Sequence, residues 1–353
     1  MFHRLAQSEI GRQGEGRKQL GERDAGISVA SILVASVHPI SLRASVPHNT
    51  RLATSSSVSA VGKAASLARI VVVYIVAFAV GLAWLVWGPN TAHLWLDSLI
   101  ADVLATLVVF AASRYFRNSS CYDAYWSVLP PLLTVYWWVT AGADTDQVRN
   151  ALVTAIVLLW SIRLTGNWAY AFPGLHHEDW RYRLLRERAG RGELLVDLSA
   201  IHLVPTGQVF LGLVPAYVAV TTSGRAFGWL DLVAFVVGLV AVTIELVADL
   251  QMHRFTRQRE PGQVMASGLW SWSRHPNYFG EVGFWFALAL FGIAASPSGW
   301  WWLLVGVAAM LAMFLGASIP LMEKRSLERR PDYQAVIDRV PRFVPRPPRR
   351  VQV

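Results

Sequence analysis

LARIVVVYIVAFAVGLAWLVW, residues 67–87, carries a single charged side chain, Arg69, in 21 residues. At ~1.5 Å per residue a helix of that length covers the ~30 Å hydrocarbon core of a bilayer. A helix is also the one form in which a lone segment satisfies all its own backbone donors and acceptors there. Further apolar runs follow at 94–112, 125–140, 151–168, 201–220, 227–250, 279–295 and 300–322. The run at 125–140 holds Pro130 and Pro131 and is short enough to kink or to re-enter. The expected fold is therefore all-α: a multi-pass transmembrane helical bundle of about eight spans. Residues 1–63 are polar and rich in Gly, Ser and Arg, and read as a disordered or targeting extension in front of one membrane domain over 64–353.

Composition agrees, with 54% hydrophobic residues, only 16% charged, a mean hydropathy of +0.38 and sixteen tryptophans. The net charge of +9 does not indicate nucleic acid, because the basic residues sit in short clusters between apolar spans, where they report topology. Arg114 and Arg117 follow the second span, a block over 163–193 the fourth, Arg254, Arg257, Arg259 and Arg274 the sixth, and a basic tail the eighth. The alternate loops hold few Arg or Lys. Both termini and every charged cluster are thus expected on the cytoplasmic side of an integral membrane protein. The single cysteine, Cys121, excludes an internal disulfide and a thiolate metal site.

Four polar clusters fall on that side. CYDAYWSVLP, residues 121–130, brings Tyr122 and Asp123 to the mouth of the third span, where they form either an interfacial aromatic belt or a pair able to polarise a carbonyl. SIRLTGNWAY and HHEDWRYRLLRER supply Arg163 and Asn167, one turn apart, then Asp179 and Arg181. The adjacent His176 and His177 point apart on a helix, so no metal site is expected. Glu245, Asp249 and His253 recur every four residues on one face of the sixth span, with Arg257 one turn on. Carboxylates inside an apolar helix are costly and usually face the bundle interior or a wet cavity. Last, SWSRHPNYFGE, residues 271–281, packs Arg274, His275, Asn277, Tyr278 and Glu281 around Pro276, the expected first turn of a helix whose positive end attracts anions. Glu323 closes the last span, within possible reach of these groups.

GLWSWSRHPNYFGE, SIRLTGNWAY, HHEDWRYRLLRER, CYDAYWSVLP and PLMEKRSLERRPDYQ, in that set, resemble the DUF1295 membrane proteins and are similar to the carboxy-terminal half of steroid 5α-reductases. The resemblance runs over about 67–348. It implies a membrane-embedded, NADPH-dependent reductase acting on the conjugated double bond of a lipophilic, steroid- or lipid-like substrate. Carried over by motif, Asn277, Glu281, Asp249 and Arg257 match residues of the cofactor pocket, while Glu245 stands where the reductases have Asn. Arg163, Asn167, Asp179, Arg181, Arg274, His275 and Glu323 complete the candidate cofactor set, and Tyr122, Asp123 and Tyr278 are the candidate catalytic residues. RHPNYFG with the later E…Y…VPRFVP also resembles the isoprenylcysteine and phospholipid methyltransferases, which use S-adenosylmethionine. A non-enzymatic lipid-binding membrane protein is the third reading. Membrane lipids and a lipophilic small molecule are the partners expected, and nucleic acid is not.

Overall fold

The computed structural model describes residues 62–348, so the expected extension lies, but for its last two residues, outside the described part. The chain runs through α1 (Lys63–Trp87), α2 (Leu94–Phe116), α3 (Tyr125–Ala141), α4 (Gln147–Ala171) and α5 (Trp180–Ala189). A π turn, Asp197–Leu203, leads into α6 (Val204–Thr221), followed by α7 (Trp229–Gln258) and α8 (Pro276–Ala295). α9 (Val305–Met313) continues through a second π turn, Phe314–Ser318, into α10 (Ile319–Arg329), and α11 (Tyr333–Arg339) closes the tail. Among the described residues there is no strand, only one isolated bridge between Thr145 and Ser223. The all-α membrane bundle is as the apolar runs require.

Buried residues trace a stripe on each helix: on α1, Ile70, Tyr74, Ala77 and Gly81 recur every three or four positions and pack on α2. The outer face of α1 shows Val71, Val72, Ile75 and Val76, an apolar surface that suits lipid rather than water. α8 is the central helix, since 67% of its most apolar window is buried against 22% for α1. It lies closest against α7, and Gly280 makes that possible: a Cβ there would stand 2.5 Å from Glu245 Cγ and 2.8 Å from the Ala241 carbonyl oxygen.

Seven helices, not eight, are long and apolar enough to cross a membrane among the described residues; α3, at 17 residues, is the one that falls short. It still makes a pass. The loop before α3 meets the one after α4, Asn118 Nδ2 donating to the Leu175 and His177 carbonyls, and the loop after it is joined to the one after α6 by Asp146, which accepts from the Phe227 N–H. Lys63 Nζ donates to the Tyr170 carbonyl and Ser66 Oγ accepts from the Leu175 N–H, so the described chain starts at the same end where its tail returns. An even number of passes follows. Seventeen residues is the lower limit for crossing, ~25 Å at 1.5 Å each.

The far end is held by Arg149, fully buried. Its Nε and Nη2 donate to Asp231 at 2.7 and 3.0 Å, and Nη1 and Nη2 donate to the Arg225 and Ala226 carbonyls. That clamp ties α4 to α7 and fixes their register. Replacing Arg149 by Ala strands a buried carboxylate and should cost about 3–5 kcal/mol, seen as a lower melting temperature in detergent; Arg225→Ala, at an exposed position, should change it little.

Candidate active site inside the bundle

The close approach of α7 to α8 brings Glu245 and Asp249 against Asn277 and Glu281, and α4 lays Arg163 and Asn167 over both. Arg163 is the hub: Nη1 donates to Asp249 Oδ2 at 2.9 Å, and Nη2 donates to Glu245 and, at 3.4 Å, to Glu281 Oε2. Asn167 Nδ2 donates to Asp249 at 3.1 Å, and its oxygen meets His253 Nε2. Glu281 also accepts from the indole N–H groups of Trp160 and Trp285. Glu245 and Glu281 are 0% exposed, so three carboxyl groups share one guanidinium in an apolar interior. Such an acceptor-rich pocket has a call for further hydrogen-bond donors.

Four buried side-chain polar atoms without a hydrogen-bond partner among the described residues belong here: Arg163 Nε, Glu245 Oε1, and Nδ2 and Oδ1 of Asn277. The Asn277 amide faces the Asp249 carboxylate without meeting hydrogen-bond geometry. Buried polar groups are nearly always satisfied, so four such atoms in one place suit a ligand or ordered water.

Tyr278, on the next face of α8, stacks between His275 and Phe314, with centroids 5.5 and 4.6 Å away. Its ring also lines the cavity at the polar end, which makes it the joint between that end and the interior cluster. Beyond it Arg259, Arg274, His275, Arg330 and Tyr333 line a cavity of about 70 Å³. Its charged lining is wholly basic. Arg274 itself is committed: Nε donates to Glu323 at 2.7 Å and Nη1 to the Ile337 and Val340 carbonyls, so it caps α11 and pins the tail. Glu323 also accepts from His275 at 3.2 Å, and burial pushes the His275 imidazole below its ordinary range.

The other sequence-predicted residues lie elsewhere. Tyr122 and Asp123 are adjacent in sequence but diverge in space: the Tyr122 hydroxyl meets Thr206 at 2.8 Å, while Asp123 accepts from Tyr182. They do not form one pair. Asp179 caps α5 and holds Arg181 through two side-chain bonds of 2.9 and 3.0 Å. Arg257 is exposed, 5.3 Å over the Tyr170 ring at the rim.

Sequence reasoning missed Asp102, which lies on α2, 3% exposed, and accepts from the Tyr125 hydroxyl at 2.9 Å. It lines a cavity of about 230 Å³ between α1, α2 and α3 that is otherwise apolar but for the Tyr136 hydroxyl. The signal was there: a carboxylate in the middle of an apolar span. The Trp126 and Trp160 rings, with centroids 6.0 Å apart, link the helix that carries Tyr125 to Glu281, to which Trp160 donates.

The model of a family described as a protein of unknown function, DUF1295, matches residues 109–340. The chain belongs to the DUF1295 family. An uncharacterized protein of Schizosaccharomyces pombe is 28% identical over 281 residues, covering 73% of this chain and 81% of that one. No solved structure matches the chain. The DUF1295 match spans α3 to α11, and so contains every residue of the interior cluster, but it leaves out α1 and Asp102.

Asp123 lies between spans, and burial, reinforced by the Asp179 carboxylate, pushes its carboxyl from 3.8 up to about 7. The folded protein then binds that proton more tightly than the unfolded chain does. This stabilisation is complete below about pH 4 and is lost as pH rises through about 7. Melting temperature should therefore fall over that window, and Asp123→Asn should flatten the fall.

Proposed function

We propose that the protein is a membrane-embedded, NADPH-dependent reductase of lipophilic substrates. The observation that carries this reading is an adjacency. The interior cluster, with its unsatisfied polar atoms, and a basic, carboxylate-free cavity lie on either side of Tyr278 on the first turns of α8. The acidic compartment suits a group rich in donors, such as a carboxamide and ribose hydroxyls; the basic one suits phosphates. About 70 Å³ is roughly twice the ~30 Å³ share of one liquid water, room for a phosphate-sized group.

When bound, the nicotinamide would supply a hydride to a carbon–carbon double bond conjugated with a ketone. The chain's own residues do the rest. Asp249, Asn277 and Glu245 would hold the ribose and carboxamide, Arg163 keeps the carboxylates in place, and Arg259 and Arg330 would meet phosphate. Trp160, Trp285 and Phe284 keep water out of the interior. The apolar cavity would admit the substrate from the bilayer, and the Asp102–Tyr125 pair at its base would present a proton to the ketone oxygen. This pair replaces Tyr122 with Asp123 as the acid we favour.

One feature favours an S-adenosylmethionine enzyme instead: three carboxyl groups around a single arginine would also suit a sulfonium cation. Ligand-induced stabilisation separates the two, because a ligand that prefers the folded state raises the melting point. NADPH should raise it and S-adenosylmethionine should not; the reverse result would sink the reductase. Asp249→Asn and Asn277→Ala should each weaken NADPH roughly ten- to a hundredfold by loss of a buried polar partner, whereas Asp144→Ala, exposed at the far end, should not. With a panel of lipophilic enones, Asp102→Asn and Tyr125→Phe should abolish NADPH oxidation yet leave NADPH affinity unchanged. A weaker affinity in either variant would place the pair in the cofactor site and overturn its role.

A further inference from the structure

A cavity of about 550 Å³ lies between α5 and α10 and shares no lining residue with the Arg163 cluster. One wall follows the path from membrane span to tail. Gly316, Pro320 and Lys324 recur at a spacing of four, beside a second row of Ala317, Leu321 and Arg325, so this face turns from apolar to basic as the helix leaves the span. The facing wall, α5, contributes Leu184, Leu185, Arg183 and Arg188. The Arg325 guanidinium lies 3.6 Å from the centroid of the Trp180 ring, an aromatic that favours the depth of lipid headgroups.

Charge in the cavity is unbalanced. Arg181 is paired with Asp179, but among the described residues Arg183, Arg188, Lys324 and Arg325 have no carboxylate within ion-pair distance. Only Glu187 and Glu328 also line the space. Apart from the Arg181–Asp179 pair, four cations against two carboxylates leave the lining net positive beside an apolar floor, a field that favours a bound anion. A Cβ built on Gly316 meets nothing within 4 Å, so the floor is open at that point.

We propose that this cavity is a headgroup site for an acidic membrane lipid: a phosphate-bearing amphiphile with its phosphate among Arg183, Arg188, Lys324 and Arg325 and its chains over Ala317, Pro320 and Leu321. A dinucleotide has ring faces but no alkyl chain to lay along Ala317, Pro320 and Leu321. A zwitterionic lipid carries its own cation into the basic rim. The site stands apart from the cofactor compartments and does not depend on the reductase reading.

The test is binding to the full chain in a neutral detergent, with dioctanoyl phosphatidic acid as probe. Two variants act on different parts of the site. The double variant Arg183→Gln/Lys324→Gln removes charge at two exposed positions, and Gly316→Leu fills the floor and leaves every charge in place. Each should weaken the probe at least tenfold, and added salt should weaken it in the wild type. Dioctanoyl phosphatidylcholine and glycerol 3-phosphate should both bind much more weakly than the probe. Equal binding of the choline lipid would overturn the demand for an acidic headgroup; equal binding of glycerol 3-phosphate would make this a free-phosphate site. Unchanged affinity in Gly316→Leu would remove the acyl floor and with it the proposal. NADPH affinity should be the same in all three proteins, and a parallel loss there would assign the cavity to the cofactor instead. If the protein binds the probe with these sensitivities and no NADPH at all, the lipid site stands and the reductase reading fails.

Discussion

Three carboxyl groups buried in a membrane bundle need a cation, and Arg163 is the one they share. Removing a carboxylate from water costs several kcal/mol even in a protein interior, so Glu245, Asp249 and Glu281 are sustainable only where a guanidinium and several N–H groups converge. Everything around them serves that convergence. Gly280 lets α7 and α8 approach until their acidic faces oppose, Arg149 with Asp231 sets the register of α4 against α7 from the far end, and two indoles cap Glu281.

The arrangement explains why the polar groups of residues 271–281 divide their work. Asn277 and Glu281 turn inward to the cluster, Tyr278 occupies the boundary, and Arg274 turns away to hold Glu323 and the carbonyls of α11. One helix start thereby connects a buried acidic compartment to a tail that would otherwise have little apolar surface to bury. The tail in turn roofs the basic cavity, since Arg330 and Tyr333 reach it only because Arg274 fixes α11. A ligand spanning both compartments would couple the order of the tail to the occupancy of the interior.

A membrane chain that presents apolar side chains to lipid has its polar residues free for other duties, and here they gather in distinct groups. Asp102 with Tyr125 joins α2 to α3, the Arg163 cluster joins α4 to α7 and α8, and the cations of α5 and α10 line a separate cavity. On the proposed reading, that arrangement would give a lipophilic molecule, a polar cofactor and a lipid headgroup separate places among the described residues.

The helical class, the number of passes to within one short helix and the identity of the inward-facing acids on α7 were legible in sequence. They follow from one-dimensional facts: the length of an apolar run, the spacing of carboxylates along it and the cost of burying them. The family resemblance assigned Asn277 and Glu281 to the same candidate pocket as Asp249. What sequence order misjudged was proximity at right angles to the chain. Tyr122 and Asp123 are neighbours that point to α6 and α5 respectively, and Asp102 with Tyr125, 23 positions apart, are partners. Arg274, which the motif puts in the candidate cofactor set, also holds backbone carbonyls on a distant helix, and carbonyls leave no mark on a sequence. Which side chains share a cavity depends on how α7 and α8 pack and on how α5 folds back over α10. That packing is set by the fit of small residues such as Gly280 against particular neighbours, a property of three-dimensional contact that no run or period encodes.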